Sequence, residues 1–126
     1  MLAVDTVVAL GDAVYGKPAD REEANSTLRA LSGAVHRVVS GICLLDGPAS
    51  RARTAVATTL VSFRCLDEPT LDWYLDTDEW RERAGGYAIQ GRGAALVASI
   101  EGDYLNVVGL PAATLLDLEP TLLPGH

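Results

Sequence analysis

With 126 residues, 48% of them apolar, the chain has material for one compact domain and one core, and too little for two comfortable ones. A formal net charge of −7 argues against a nucleic-acid polymer or an anionic membrane as partner, since both are held by surplus lysine and arginine. A small phosphorylated ligand stays open, because a few local cations and backbone donors suffice for it.

The first predicted element is the β-branched run Val4-Asp5-Thr6-Val7-Val8-Ala9-Leu10, which reads as a buried strand with a carboxylate inside it. Ionising such a group costs free energy unless a cation or donors compensate, although an aspartate near a strand end is more often simply solvated. Gly11-Asp12 suits a two-residue type II′ hairpin loop. Facing positions then sum to about 23, which returns Lys17 beside Thr6 and close to Asp5. Gly16 and Pro18 disturb the ladder and leave the face taken by Lys17 open. Asp20 opens a helix, with Glu23 completing a capping box, Ala24, Leu28 and Leu31 on one face, and Ser32-Gly33 as the stop. Ala34 to Leu45 reads as a strand with a bulge or close backbone approach at Ser40-Gly41. A turn at Asp46 to Ser50 leads to a second long strand, Arg51 to Leu66, antiparallel to it, with Ala55, Ala57, Thr59, Val61, Phe63 and Cys65 on one face. Cys43 and Cys65 belong to no metal-ligand pattern and are expected to be buried free thiols in a reducing compartment.

Asp67-Glu68-Pro69 opens another helix, with an apolar stripe of Leu71, Tyr74 and Leu75 and with Trp73 off it. Asp78 to Arg83 carries mixed charges and reads as a solvated connection rather than a binding patch. Ala84 to Gly93 holds four glycines in ten residues. It has neither a Walker ending nor a dinucleotide-binding pattern, so its glycines are weak evidence for a phosphate cradle. Ala94 to Ile100 reads as a central strand, Glu101 to Tyr104 as a turn, and Pro111 as the first position of a helix through Leu118. The order indicates an α/β protein with a mixed twisted sheet and flanking helices, residues 1–118 forming one domain and 119–126 a flexible tail. No apolar run reaches membrane-spanning length, so a soluble, cytoplasmic protein is expected.

Five segments then carry a resemblance: Val4-Asp5-Thr6-Val7-Val8, Gly16-Lys17-Pro18, Ser32-Gly33-Ala34-Val35-His36-Arg37-Val38, Ala84 to Gly93, and Ile100 to Tyr104 running on through Asn106 to Pro111. In this order they resemble the motifs of the Maf-type nucleoside triphosphate pyrophosphatases, once named for inhibition of septum formation. The resemblance implies an architecture like that of inosine triphosphate pyrophosphatase. It also implies house-cleaning hydrolysis of the α–β anhydride of a nucleoside triphosphate, giving monophosphate and pyrophosphate, with a divalent cation (Mg, Mn or Co) and a homodimeric assembly. Asp5 would be the proton acceptor and could help hold the metal, and Lys17 would neutralise the phosphates. Thr6 and Gln90 would bind substrate and set base specificity, and the Asp-Thr pair with Tyr-Ala-Ile-Gln-Gly resembles the dTTP/UTP subgroup. A glutamine donates and accepts at once, as a uracil or thymine edge requires.

The family's leading Ser-x-Ser-Pro-Arg-Arg segment has no counterpart here, so an architecture missing its N-terminal part is expected. The alternative is a non-catalytic truncated relative with a regulatory or interaction role. Ser40 stands where the family usually has threonine and, without a histidine at motif spacing, is no nucleophile. His36 is expected to orient a loop or cap a helix end, Arg92 to meet a phosphate or an acidic neighbour, and Glu101 and Asp103 to form a turn.

Overall fold

The computed structural model describes residues 2–46, 51–109 and 111–118. Five strands, β1 (Leu2–Leu10), β2 (Ala13–Tyr15), β3 (Val35–Asp46), β4 (Arg51–Phe63) and β5 (Val97–Glu101), form one sheet in the order β2-β1-β3-β4-β5. Helices α1 (Arg21–Leu31), α2 (Glu68–Asp76), α3 (Tyr104–Val108) and α4 (Ala112–Leu118) accompany it, with 3-10 turns at Ala84–Gly86 and Arg92–Leu96. The α/β arrangement of a sheet with flanking helices is the one expected. Every described pairing is antiparallel, however, so the parallel component of a mixed sheet is not among these strands. β2 and β3 do run in the same direction across the α1 crossover, but β1 lies between them and pairs with both.

Local chemistry explains the element ends. Gly11 takes φ 56°, the positive value a type II′ turn demands at its first central residue. Val8, Ala9 and Leu10 face Tyr15, Val14 and Ala13, which is the register a two-residue loop dictates. The Asp20 carboxylate accepts from the Glu23 N–H at 2.8 Å and the Asp67 carboxylate from Thr70 at 2.9 Å, so each caps its helix. Asp103 does the same for Leu105 at 2.9 Å and starts α3, where the sequence reading has only a turn.

Two strand expectations are corrected. Ser40-Gly41 holds no bulge, since β3 keeps an unbroken register with both neighbours through it. The glycine instead leaves the position facing Asp5 without a side chain, with nothing within 4 Å of where a Cβ would lie. β5 is an edge strand rather than a central one, and begins only at Val97. A Cβ on Gly93 would sit 2.3 Å from the Ala88 carbonyl oxygen, so the chain coils tightly there before it can extend.

The core lies on one face of the sheet, where Val8, Val38, Val61 and Phe63 meet Leu28 and Leu31 of α1 and Leu71, Tyr74 and Leu75 of α2. Each such side chain contributes about 1.5–3 kcal/mol through burial. Trp80 closes this core, its indole N–H donating to the Leu75 carbonyl at 3.1 Å. On the other face Val35, Val56 and Leu60 are exposed. Both cysteines are free, but neither is buried. Cys43 alternates with buried Ile42 and so falls on the outer face, while Cys65 follows the end of β4 and is exposed. Among the described residues no helix is long and apolar enough to cross a membrane. The predicted turn after Asp46 and the tail from residue 119 lie outside the described residues.

Candidate functional site

Only the end of β1 is covered by the hairpin. β2 pairs with Val8–Leu10, so Leu2–Val7 has β3 on one side and, among the described residues, no strand on the other. A cleft of about 240 Å³ opens here. Val4, Asp5, Thr6 and Val8 of β1 border it, together with Lys17, the stretch from Glu82 to Gln90 apart from its two glycines, and Val107 to Gly109 at the end of α3.

Close packing holds these segments together. The Gly85 N–H donates to the Gly16 carbonyl at 3.1 Å, which ties the bend carrying Lys17 to the turn following Arg83. Gly85 itself has φ 73°, and a Cβ there would lie 2.7 Å from the Val8 Cγ2, so only glycine lets this turn approach β1. The Ala88 N–H donates to the Tyr74 hydroxyl at 2.8 Å. The Glu79 carboxylate accepts from the Arg92 N–H at 3.1 Å and the Gly93 N–H at 3.3 Å. Gln90 is therefore carried on a segment pinned on both sides.

His36 supplies a third anchor. Its ring is fully buried, with Nε2 2.7 Å from the Tyr87 hydroxyl, and it packs edge-on against Phe63 at 4.9 Å between centroids. Burial lowers its pKa from 6.5 to about 4, so the ring is neutral at physiological pH. Desolvation pushes the hydroxyls of Tyr74 and Tyr87 upward, so both stay protonated. His36 thus orients a loop, one of the two roles expected of it.

Asp5, Thr6, Lys17 and Gln90, the four residues singled out in the sequence, all line this cleft. Thr6 lies on the core-facing side of β1, opposite Ser40, whereas alternation puts Asp5 on the other face, opposite Gly41. An unpaired strand edge can border a cleft from both of its faces, which is how adjacent residues reach one space. Asp5 is exposed, as expected of an aspartate near a strand end, rather than enclosed in a buried strand. Glu82 and Arg83 were missed: their mixed charges read as a solvated connection, yet both line the cleft. Their position directly before Ala84-Gly85-Gly86 was the available signal. Arg92 is exposed and does not line the cleft; its backbone, not its side chain, meets the acidic neighbour Glu79. Among the described residues no three His, Cys, Asp or Glu side chains gather to hold a metal, and the cleft offers two carboxylates, Asp5 and Glu82.

The fold and the cleft define an α/β domain in which carboxylates, cations and an amide side chain converge on one strand edge. The chain belongs to the Maf-like protein family, whose model matches residues 1–119. It is 48% identical over 118 residues to the dTTP/UTP pyrophosphatase of Pyrococcus furiosus, a match covering 94% of this chain and 61% of that protein. The dTTP/UTP pyrophosphatase of Pyrococcus abyssi is 43% identical and that of Pelotomaculum thermopropionicum 46%, each over 94% of this chain and 62% of the relative. The chain thus spans about three fifths of the length of these relatives.

Proposed function

We propose that the cleft takes a pyrimidine nucleoside triphosphate, dTTP or UTP, and that its α–β anhydride is hydrolysed there to the monophosphate and pyrophosphate. The observation that carries this reading is the convergence of Asp5, Thr6, Lys17 and Gln90 from separate stretches of the chain onto one cleft. The names of the relatives support the same substrates.

In this reading Asp5 accepts the proton of a water attacking the α-phosphorus, while the bond to the bridging oxygen breaks and pyrophosphate leaves. Lys17 and Arg83 neutralise the phosphate oxygens, because phosphoryl transfer depends chiefly on positioning and charge. Thr6 and Gln90 read the base. Two carboxylates suit a hard divalent cation such as Mg²⁺, Mn²⁺ or Co²⁺, which is often held by one or two protein carboxylates together with substrate phosphates. Asp5 and Glu82 would hold it, and when bound it would offset phosphate charge. The reading also takes residues 1–118 as one domain, the protein as a homodimer, and the cytoplasm, where the free nucleotide pool lies, as its setting.

The test is pyrophosphate release from dTTP or UTP with Mg²⁺ or Mn²⁺ by the wild type and by Asp5→Asn. Loss of a proton acceptor should lower turnover by about 10²-fold or more. Equal release by the two proteins would sink the assignment, and a folded wild type that releases nothing and holds a non-hydrolysable nucleotide only weakly would favour the non-catalytic alternative.

A further inference from the structure

Helix α3 has five residues, fewer than a helix needs to persist by itself in water, so its place depends on what fastens it to the sheet. The fully buried Asn106 supplies that fastening. Its side-chain Nδ2 lies 3.0 Å from the Val38 carbonyl oxygen of β3, 3.3 Å from the Ala57 carbonyl oxygen of β4 and 3.1 Å from the Thr59 Oγ1. Carbonyl oxygens only accept, so it is the amide nitrogen, not its oxygen, that faces them. The Thr59 hydroxyl in turn donates to the Asp103 carbonyl at 2.9 Å, just before the helix begins. The residues directly after Asn106, namely Val107, Val108 and Gly109, border the cleft. Gly109 ends the helix with φ 110° and gives its N–H to the carbonyls of Leu105 and Asn106.

This wall differs in chemistry from the rest of the cleft. It offers two apolar side chains and the carbonyl end of a helix, with no cation, whereas Lys17 and Arg83 stand on other segments. Carbonyl oxygens repel phosphate, so the triphosphate belongs with the cations. Val107 and Val108 rest against the core, so α3 lies on the core-facing side of the sheet, the side toward which Thr6 projects from β1. Asp5 faces the other way. We propose that the α3 end seats the nucleoside half of the substrate, packing the pyrimidine ring against Val107 and Val108 beside Thr6, and that Asn106 is the positioning residue that holds this seat. The inference rests on the nucleotide reading above and assigns to that substrate the wall that meets its base. Without the Asn106 amide, α3 keeps its tie from Thr59 to Asp103 but loses the one to the β3 and β4 carbonyls, and the valines lose their fixed distance from β1. The contacts of Lys17 and Arg83 with phosphate do not pass through α3.

Equilibrium titration with α,β-methylene-UTP and with inorganic triphosphate reads the two halves of the substrate separately. The wild type should bind both. Asn106→Ala should weaken the nucleotide analogue about tenfold, the scale of one buried hydrogen bond lost from the mount, and leave the affinity for triphosphate unchanged. Val108→Ala, which trims the seat itself, should give a smaller loss confined to the analogue. A purely structural Asn106 would lower the unfolding temperature of Asn106→Ala and leave both affinities unchanged, or weaken both equally, and either result overturns the proposal, as does a loss confined to triphosphate. If Asn106→Ala does not fold, an unchanged affinity of Val108→Ala for the analogue overturns it. A wild type that binds the analogue but not triphosphate overturns the division of the cleft, and one that binds neither overturns the nucleotide reading together with this inference.

Discussion

Acidification should unfold this protein partly through His36. The ring is fully buried, and burial lowers its pKa to about 4, against 6.5 in the unfolded chain. Between those values the unfolded state binds a proton that the native state refuses, so stability is complete above pH 6.5 and falls as the pH drops toward 4. Below about pH 4 both states are protonated and this residue takes no more. The full depression corresponds to roughly 3 kcal/mol, a large part of the 5–15 kcal/mol that holds a typical domain folded. Tyr87, whose hydroxyl meets the ring, stays protonated throughout this range and adds no slope of its own. Urea denaturation at intervals from pH 4.5 to 7.5, for the wild type and for His36→Gln, isolates the effect, because carboxylate titration is common to both proteins. The stability of His36→Gln should depend less steeply on pH, by about 3 kcal/mol across the full interval between the two pKa values. Parallel pH profiles for the two proteins would refute the reasoning.

Removing the Glu79 carboxylate frees the backbone N–H groups of Arg92 and Gly93. Glu79→Ala should therefore lower stability by about 1–2 kcal/mol, a fall of several degrees in a thermal scan, and raise KM for nucleotide by loosening Gln90. Gly85→Ala meets both a positive φ of 73° and the Val8 Cγ2 at 2.7 Å, and should cost about 2 kcal/mol or more in urea denaturation. Arg83→Ala, an exposed position, should leave the unfolding temperature nearly unchanged while raising KM for nucleotide about tenfold, consistent with one lost charged contact. A wild-type KM in that variant would remove Arg83 from the phosphate-binding role.

Features decided by neighbours in sequence were legible. Gly11-Asp12 set the hairpin register residue by residue, and Asp20 and Asp67 marked two helix starts through their caps. Features decided by distant partners were not. Whether Ala94 to Ile100 lies at the centre or the edge of the sheet depends on which strand it meets, and no periodicity encodes that. Asp5 sits in an apolar run that reads as a buried strand, yet it is exposed, and among the described residues Leu2–Val7 has a strand on one side only, which no pattern in the sequence encodes. The role of Glu79 was equally hidden, since a carboxylate that reaches backbone N–H groups 13 and 14 residues away leaves no local pattern.

That carboxylate also bears on how a phosphate could be held. A glycine-rich loop binds anions when its backbone N–H groups point outward and unpaired. Here those of Arg92 and Gly93 already face an internal anion, the Gly85 N–H is taken by the Gly16 carbonyl, and a Cβ on Gly91 would fall 2.6 Å from the Glu79 carboxylate. The glycines permit close packing rather than phosphate contact. If the cleft takes a nucleotide as proposed, charge neutralisation therefore falls to side chains: Lys17 and Arg83 are the cations among its described lining, and the hydrogen bond between Gly85 and Gly16 ties together the two segments that carry them.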